Sequence, residues 1–219
     1  LRLAFMRINK GKNYIRQNLY MAQQIWHNQT QKKVKIHKNL GYLRLIILYM
    51  NNVLSLFSSI KAFIFDVDGV MTDGQVHVLE TGEHYRSFFI RDGYAIEKAR
   101  EAEFTLCVIS GGTHLGVQKR LENLRFQHIY MGLGGQDKLS TYLSWLEKIR
   151  ISEEHVLYMG DDIPDLKILK RPKLLSTCPA DAIPEIKSVV KYVSPFKGGQ
   201  GAVRDVIEKV MKLQGKWPE

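Results

Sequence analysis

The chain predicts an α/β domain in which a parallel sheet is sandwiched between helices, with a β-hairpin flap and no inserted cap. From residue 60 onward, short apolar runs bounded by Gly, Ser and Asp alternate with amphipathic stretches. Strands each followed by a helix make βαβ units, which require parallel pairing. Strands are expected at 60–66, 105–110, 128–131, 155–160, 174–177 and 188–193, and helices at 92–102, 113–124, 138–149, 163–170 and 203–214. The exception to the alternation is 75–90, where QVHVL and HYRSFFI flank Glu80-Thr81-Gly82-Glu83, a hairpin signal.

Composition bounds the function less than it first suggests. The formal net charge is +10 over 219 residues. Residues 1–49 hold ten Lys or Arg and no Asp or Glu, so 50–219 carries 22 basic and 22 acidic residues and is formally neutral. The basic balance therefore says nothing about what the globular part binds. We divide the chain into a basic N-terminal extension, 1–49, and a globular domain, 50–219. A basic arm with Tyr14, Tyr20 and Trp26 could hold nucleic acid or an anionic membrane. It shows no aromatic-basic module of a known nucleic-acid fold, and the favoured expectation is an unstructured extension ahead of a start at Met50. Within 43–57 the longest clean apolar run is six residues, Leu45 to Met50. A spanning helix needs about 20, so no membrane segment is expected. Cys107 and Cys178 lack metal-ligand spacing and read as core thiols of a reducing compartment.

In open parallel sheets ligands bind beyond the carboxyl ends of the strands, and four of the expected ends carry chemistry. The first reads Phe65-Asp66-Val67-Asp68-Gly69-Val70. Two carboxylates two residues apart project the same way from an extended chain, and their repulsion favours a divalent cation or a shared proton. The second is Ser110-Gly111-Gly112-Thr113. Its hydroxyl and backbone N–H groups can cradle phosphate, although such a turn also needs glycine for geometry alone. The third is Lys138, at a helix start after glycines 132, 134 and 135. In this company it reads as a cation aimed at phosphate, where an isolated lysine would read as solvated. The fourth is Gly160-Asp161-Asp162-Ile163-Pro164-Asp165. Helix capping explains one aspartate there but not three; one metal ligand with supporting carboxylates fits hard-cation chemistry.

In order and placement, DxDGV, Ser110-Gly111, Lys138 and GDDxxD resemble the four motifs of the haloacid dehalogenase-like phosphatases, over residues 60–215. The resemblance implies a Rossmann-like sheet and a Mg²⁺-dependent phosphomonoesterase. In it Asp66 is the nucleophile that becomes an aspartyl-phosphate, and Asp68 is the general acid and base. Ser110 and Lys138 hold the phosphoryl oxygens. Asp66, the backbone carbonyl of Asp68 and Asp161 bind the metal, with Asp162 and Asp165 in support. Only 41 residues separate Asp68 from Ser110 and 27 separate Ser110 from Lys138. The hairpin and a helix fill the first gap, so no cap domain fits and the site is expected to be covered from another subunit.

Three further segments make the chain similar to the 3-deoxy-D-manno-octulosonate 8-phosphate phosphatase family. They are Phe89-Ile90-Arg91-Asp92-Gly93, the helix around Arg120, and Gly198-Gly199-Gln200-Gly201-Ala202-Val203-Arg204. That likeness implies a cytoplasmic homotetramer feeding lipopolysaccharide synthesis, with no nucleic-acid or membrane partner. Asp68, Phe89, Ile90, Arg91, Asp92, Gly93, Gly111, Arg120 and Lys138 would contact a small phosphorylated sugar acid, and the glycine-rich tail would pack near a neighbouring subunit's site. Many relatives carry Arg where this chain has Gly112, which leaves nine-carbon sialic-type sugar 9-phosphates as the alternative substrates. A phosphomutase, a binding protein led by the basic arm and a non-catalytic member of the fold are the competing readings.

Overall fold

The computed structural model describes residues 55–133 and 137–218. The basic arm 1–49, the expectations attached to it and most of 43–57 lie outside the described residues. Among the described residues six strands pair in parallel into one sheet, and two further strands form a hairpin that stands apart from it.

Strand β1 (Ala62–Phe65) is central. The sheet order is β5-β4-β1-β6-β7-β8, with β4 Thr105–Ile109, β5 His128–Tyr130, β6 Val156–Met159, β7 Leu175–Cys178 and β8 Tyr192–Val193. All five pairings are parallel, with Phe65 opposite both Val108 and Met159. The chain leaves β1 for one side of the sheet and later returns to its other side. That reversal opens a crevice at the carboxyl ends of β1, β4 and β6. Strand β1 has polar residues on neither face: Ala62, Phe63, Ile64 and Phe65 are all fully buried. Phe63 and Phe65 enter one core and Ala62 and Ile64 the other, as strand alternation demands.

The first core is closed by α1 (Ile90–Glu101), α2 (Leu115–Asn123) and α6 (Ala202–Leu213). The second lies under α3 (Lys138–Ile149) and the short helices α4 (Leu166–Leu169) and α5 (Pro184–Lys187). Helix α3 has the bounds expected from sequence. The helix expected at 163–170 is instead a 3₁₀ turn at Ile163–Asp165 followed by one turn of α-helix. The strand expected at 188–193 is confined to its last two residues, because α5 and its closing turn occupy the segment up to Val190. Cys107 on β4 and Cys178 on β7 are buried free thiols. No helix among the described residues is long and apolar enough to cross a membrane.

Between Asp68 and β4 stand only the hairpin, β2 (His77–Val78) against β3 (His84–Tyr85), and α1. The hairpin turn is closed by Gly82 N donating to Leu79 O and by Leu79 N donating to Glu83 O. Its outer residues Val78, Leu79 and Tyr85 are exposed.

The structure gives Asp92 a capping role: its carboxylate is buried, and Oδ1 accepts from Arg204 N at 2.9 Å. It caps α6, whose own N-cap residue is Gly201 (φ 110°) and has no side chain to offer. Burial lifts the Asp92 carboxyl to about 6, although the N–H groups of Arg204 and Gly201 pull it back. The unfolded chain releases this proton near 3.8. The folded protein therefore holds more protons between these values, and its stability falls as pH rises from about 4 to about 6. Asp92→Asn is expected to change the stability difference from wild type by up to about 3 kcal/mol between pH 4 and pH 7, favouring the variant at the higher pH. Asp92→Ala should lose the cap at every pH, about 1 kcal/mol. Denaturant unfolding at several pH values checks both, and a pH-independent Asp92→Asn difference would contradict the buried charge.

Candidate active site

Each strand end delivers one part of the site. Asp66 follows β1 and is held in register by its N–H donating to Met159 O across the sheet. Its Oδ1 accepts from Val67 N at 2.7 Å, and its Oδ2 lies 2.7 Å from Lys138 Nζ. Lys138 is the first residue of α3, whose N-cap Asp137 accepts from Leu139 N. The same Nζ reaches Asp165 Oδ1 at 2.9 Å, and Tyr158 Oη donates to that oxygen at 2.6 Å. A lysine from α3 thus bridges carboxylates from β1 and from the loop after β6. All are buried, with side-chain exposures of 8% for Lys138, 10% for Asp66 and 0% for Asp165.

Ser110 follows β4 and is buried; its Oγ accepts from Gly112 N at 3.3 Å. A Cβ on Gly112 would meet Ser110 Oγ at 3.7 Å and Asp68 Oδ2 at 3.8 Å, so Ser110, Gly112 and Asp68 surround one space. Asp68 points another way from Asp66. Its side chain is 40% exposed and is gripped by Arg86, with Nε 2.5 Å from Oδ1 and Nη2 3.3 Å from Oδ2.

Asp66, Asp161 and Asp165 each offer a carboxylate oxygen, and the three oxygens lie within 4.8 Å of one another. Three carboxylates against one ammonium leave two negative charges in excess. Burial and the Asp165 charge raise the Asp66 carboxyl well above its usual range, and burial with Asp165 and Asp162 lifts Asp161 to about 7. Burial alone would depress Lys138, but Asp165 and Asp66 outweigh it and hold the ammonium charged. Asp161 Oδ1 and Asp165 Oδ2 are buried without hydrogen-bond partners. A divalent cation with oxygen preference fits this set, since it supplies the missing charge and partners at once. The approach is tight: a Cβ on Gly69 (φ 81°) would fall 2.0 Å from Asp161 Oδ2, and one on Gly160 would fall 2.4 Å from Asp165 Cγ. Both glycines let backbone come where a side chain would block the carboxylates.

The structure gathers Asp66, Asp68, Ser110, Lys138, Asp161 and Asp165 at the carboxyl ends of the central strands. Asp162 stands aside, exposed, with Oδ1 capping the 3₁₀ turn through Ile163 N. Asp165 sits among the cluster oxygens themselves and not merely behind them. Of the expected sugar-contacting segment, Gly93 lies under Arg120, whose Nη2 would be 2.8 Å from a Cβ there. Ile90 is 76% exposed, Arg91 is exposed with its guanidinium 5.8 Å from the Phe89 ring centroid, and Gly111 is exposed with open space around it. The glycine-rich tail packs on its own chain, where Gly199 N donates to Val70 O and a Gly198 Cβ would strike Gly69 O at 1.9 Å. Sequence reasoning missed Arg86 and Tyr158. Nothing marks Arg86 within the hairpin pattern, whereas Tyr158 was visible as the one hydroxyl in the apolar run VLYM. A cavity of about 660 Å³ opens at the opposite end of the sheet, lined by Ser59, Lys61, Thr105 and His155 among others, and holds none of these groups.

With Asp161 close to half-protonated near neutral pH, loading the site with Mg²⁺ is expected to release a proton, and apparent affinity should rise as pH increases through about 7. Calorimetric titration of Mg²⁺ in buffers of different ionisation enthalpy measures this. The release should be smaller in Asp161→Asn, and proton-neutral binding by wild type would contradict the crowded-carboxylate account.

No family model matches the chain. It is 35% identical over 168 residues to 3-deoxy-D-manno-octulosonate 8-phosphate phosphatase of Escherichia coli, covering 77% of this chain and 88% of that one. Among solved structures it superposes on the Yersinia pestis enzyme of that name with a TM-score of 0.72 and 34% identity, over 76% of this chain and 88% of the other. The Moraxella catarrhalis enzyme, solved with magnesium, phosphate and KDO, gives a TM-score of 0.71 and 31% identity, over 76% and 94%. Sheet, strand-end chemistry and these likenesses agree: the chain belongs to the capless 3-deoxy-D-manno-octulosonate 8-phosphate phosphatase family of the haloacid dehalogenase-like superfamily.

Proposed function

We propose that this chain is a Mg²⁺-dependent phosphatase that hydrolyses 3-deoxy-D-manno-octulosonate 8-phosphate to the free sugar acid and phosphate, as a step of lipopolysaccharide precursor synthesis. The observation that carries the proposal is the division of labour between two aspartates two residues apart. Asp66 is buried and tied to Lys138, while Asp68 is half-exposed and turned away from the carboxylate cluster. The first is arranged to meet phosphorus and the second to meet the leaving oxygen.

In the proposed reaction an oxygen of Asp66 forms a bond to phosphorus as the phosphorus–sugar oxygen bond breaks, in line, giving an aspartyl-phosphate. Asp68 gives a proton to the departing alcohol oxygen. It then takes one from the water that attacks the aspartyl-phosphate, returning Asp66 and releasing phosphate. Ser110 Oγ and Lys138 Nζ hold phosphoryl oxygens, so that charge developing on them meets donors already in place. Bound Mg²⁺, held by Asp66, Asp161 and the backbone carbonyl of Asp68, supplies positive charge to the transferring group. Asp165 and Tyr158 fix the lysine, and Asp162 fixes the turn that carries Asp161.

Turnover assayed as phosphate release should require Mg²⁺ and fall at least about 10³-fold in Asp66→Asn. It should favour the eight-carbon ester over a nine-carbon sialic-type 9-phosphate. Preference for the nine-carbon ester would keep the chemistry and move the substrate, whereas release from neither would refute the assignment. Because the site has no cap, we also propose that it is covered within a homotetramer. Light scattering on the full chain is expected to give four times the 25.3 kDa chain mass, and a monomer with full activity would contradict that covering role.

A further inference from the structure

Arg86 combines three features that no part of the reaction above uses. It lies just beyond β3 on the hairpin, outside the sheet that carries the phosphoryl-handling groups. Its side chain is only 6% exposed, although the carboxylate it grips is 40% exposed. Its Nη1 is buried and has no hydrogen-bond partner.

A guanidinium has five N–H donors arranged on two bidentate edges. Asp68 takes the Nε–Nη2 edge, closely at Nε (2.5 Å) and loosely at Nη2 (3.3 Å). That leaves the Nη1–Nη2 edge, which is the one suited to a second carboxylate. A buried donor left unpaired costs free energy that one good acceptor recovers. The space beside Asp68 is also open: a Cβ at Gly112 would find only Ser110 Oγ and Asp68 Oδ2 within 4 Å, each at ordinary contact distance. Asp68 is the group assigned to the leaving oxygen, so a cation fastened to it stands on the leaving-group side of phosphorus.

We propose that Arg86 is a specificity-determining residue that binds the carboxylate of the sugar acid through its Nη1–Nη2 edge while its Nε keeps hold of Asp68. The hairpin thereby selects for a phosphate ester that carries a second anionic group, and couples occupancy by that group to the position of Asp68. This rests on the sugar-acid substrate proposed above.

The test compares kcat/KM for 3-deoxy-D-manno-octulosonate 8-phosphate with kcat/KM for p-nitrophenyl phosphate, which has no carboxylate, using the full chain with Mg²⁺. Wild type, Arg86→Met and Arg86→Lys are measured together. The preference for the sugar acid is expected to fall at least tenfold in Arg86→Met, chiefly through KM, and to recover in part in Arg86→Lys. An equal loss on both esters would show that Arg86 only holds Asp68, and would overturn the inference while leaving the substrate standing. A wild type with no preference for the sugar acid would overturn the substrate proposal and this inference with it. A folding defect common to both assays cancels in the ratio.

Discussion

The ammonium of Lys138, shared between Asp66 and Asp165 in a place almost without water, is the constraint around which the rest of the domain is arranged. Desolvating three charges is costly, and a buried ion pair by itself is weak support for stability. Removing one partner is worse, because it strands the others, at a cost on the order of 3–5 kcal/mol. The set is therefore maintained only if β1, the loop after β6 and the first turn of α3 all arrive in register. The sheet secures the first two through the pairing of Phe65 with Met159. The Asp137 cap secures the third. Tyr158, pointing from β6 into the same oxygen, completes the hydrogen bonding of Asp165 Oδ1.

With Asp161 included, that arrangement stops two charges short of balance, and the shortfall has a use. A site filled by its own lysines would be stable and closed to a metal. Here Asp161 and Asp165 keep buried oxygens without donors, and the backbone at Gly69 and Gly160 comes close enough to hold those carboxylates where they are. Stability is given up locally to keep a binding position for a hard cation. The glycine-rich tail then supports the same loop from outside, since Gly198 and Gly199 lie directly on residues 69–73.

How much of this was legible depended on whether a residue's role was set by neighbours in sequence or in space. The central strands were readable because their apolar runs are continuous and their ends are marked by Asp, Ser and Gly. Asp66, Ser110, Lys138 and Asp161 followed, since each strand end is a fixed place in a parallel sheet. The capping role of Asp92 was not readable in its own segment. What decides its role is the bare N-terminus of α6, 112 residues later, which no local pattern reveals. Arg86 was missed for a related reason. An arginine in a hairpin is ordinarily solvated, and only the fold of the flap over the strand end brings it to Asp68. The strand at β8 is truncated through competition, as the closing turn of the helix begun at Pro184 takes the segment up to Val190.

The same division separates chemistry from selection. Asp66, Ser110 and Lys138 are almost wholly buried and belong to the sheet and its first helical turns, so they cannot vary without disturbing the core. Asp68 and Gly111, on loops that leave the sheet, and Ile90 and Arg91, in the first turn of α1, are more exposed. Loops positioned by a rigid scaffold can change while the scaffold keeps its geometry. Arg86 is the one described group that belongs to both regions, since it arises from the flap and holds a residue of the buried strand-end motif. A change in the flap is therefore transmitted to Asp68 directly. For that reason selection of the leaving group and its protonation cannot be tuned independently in this chain.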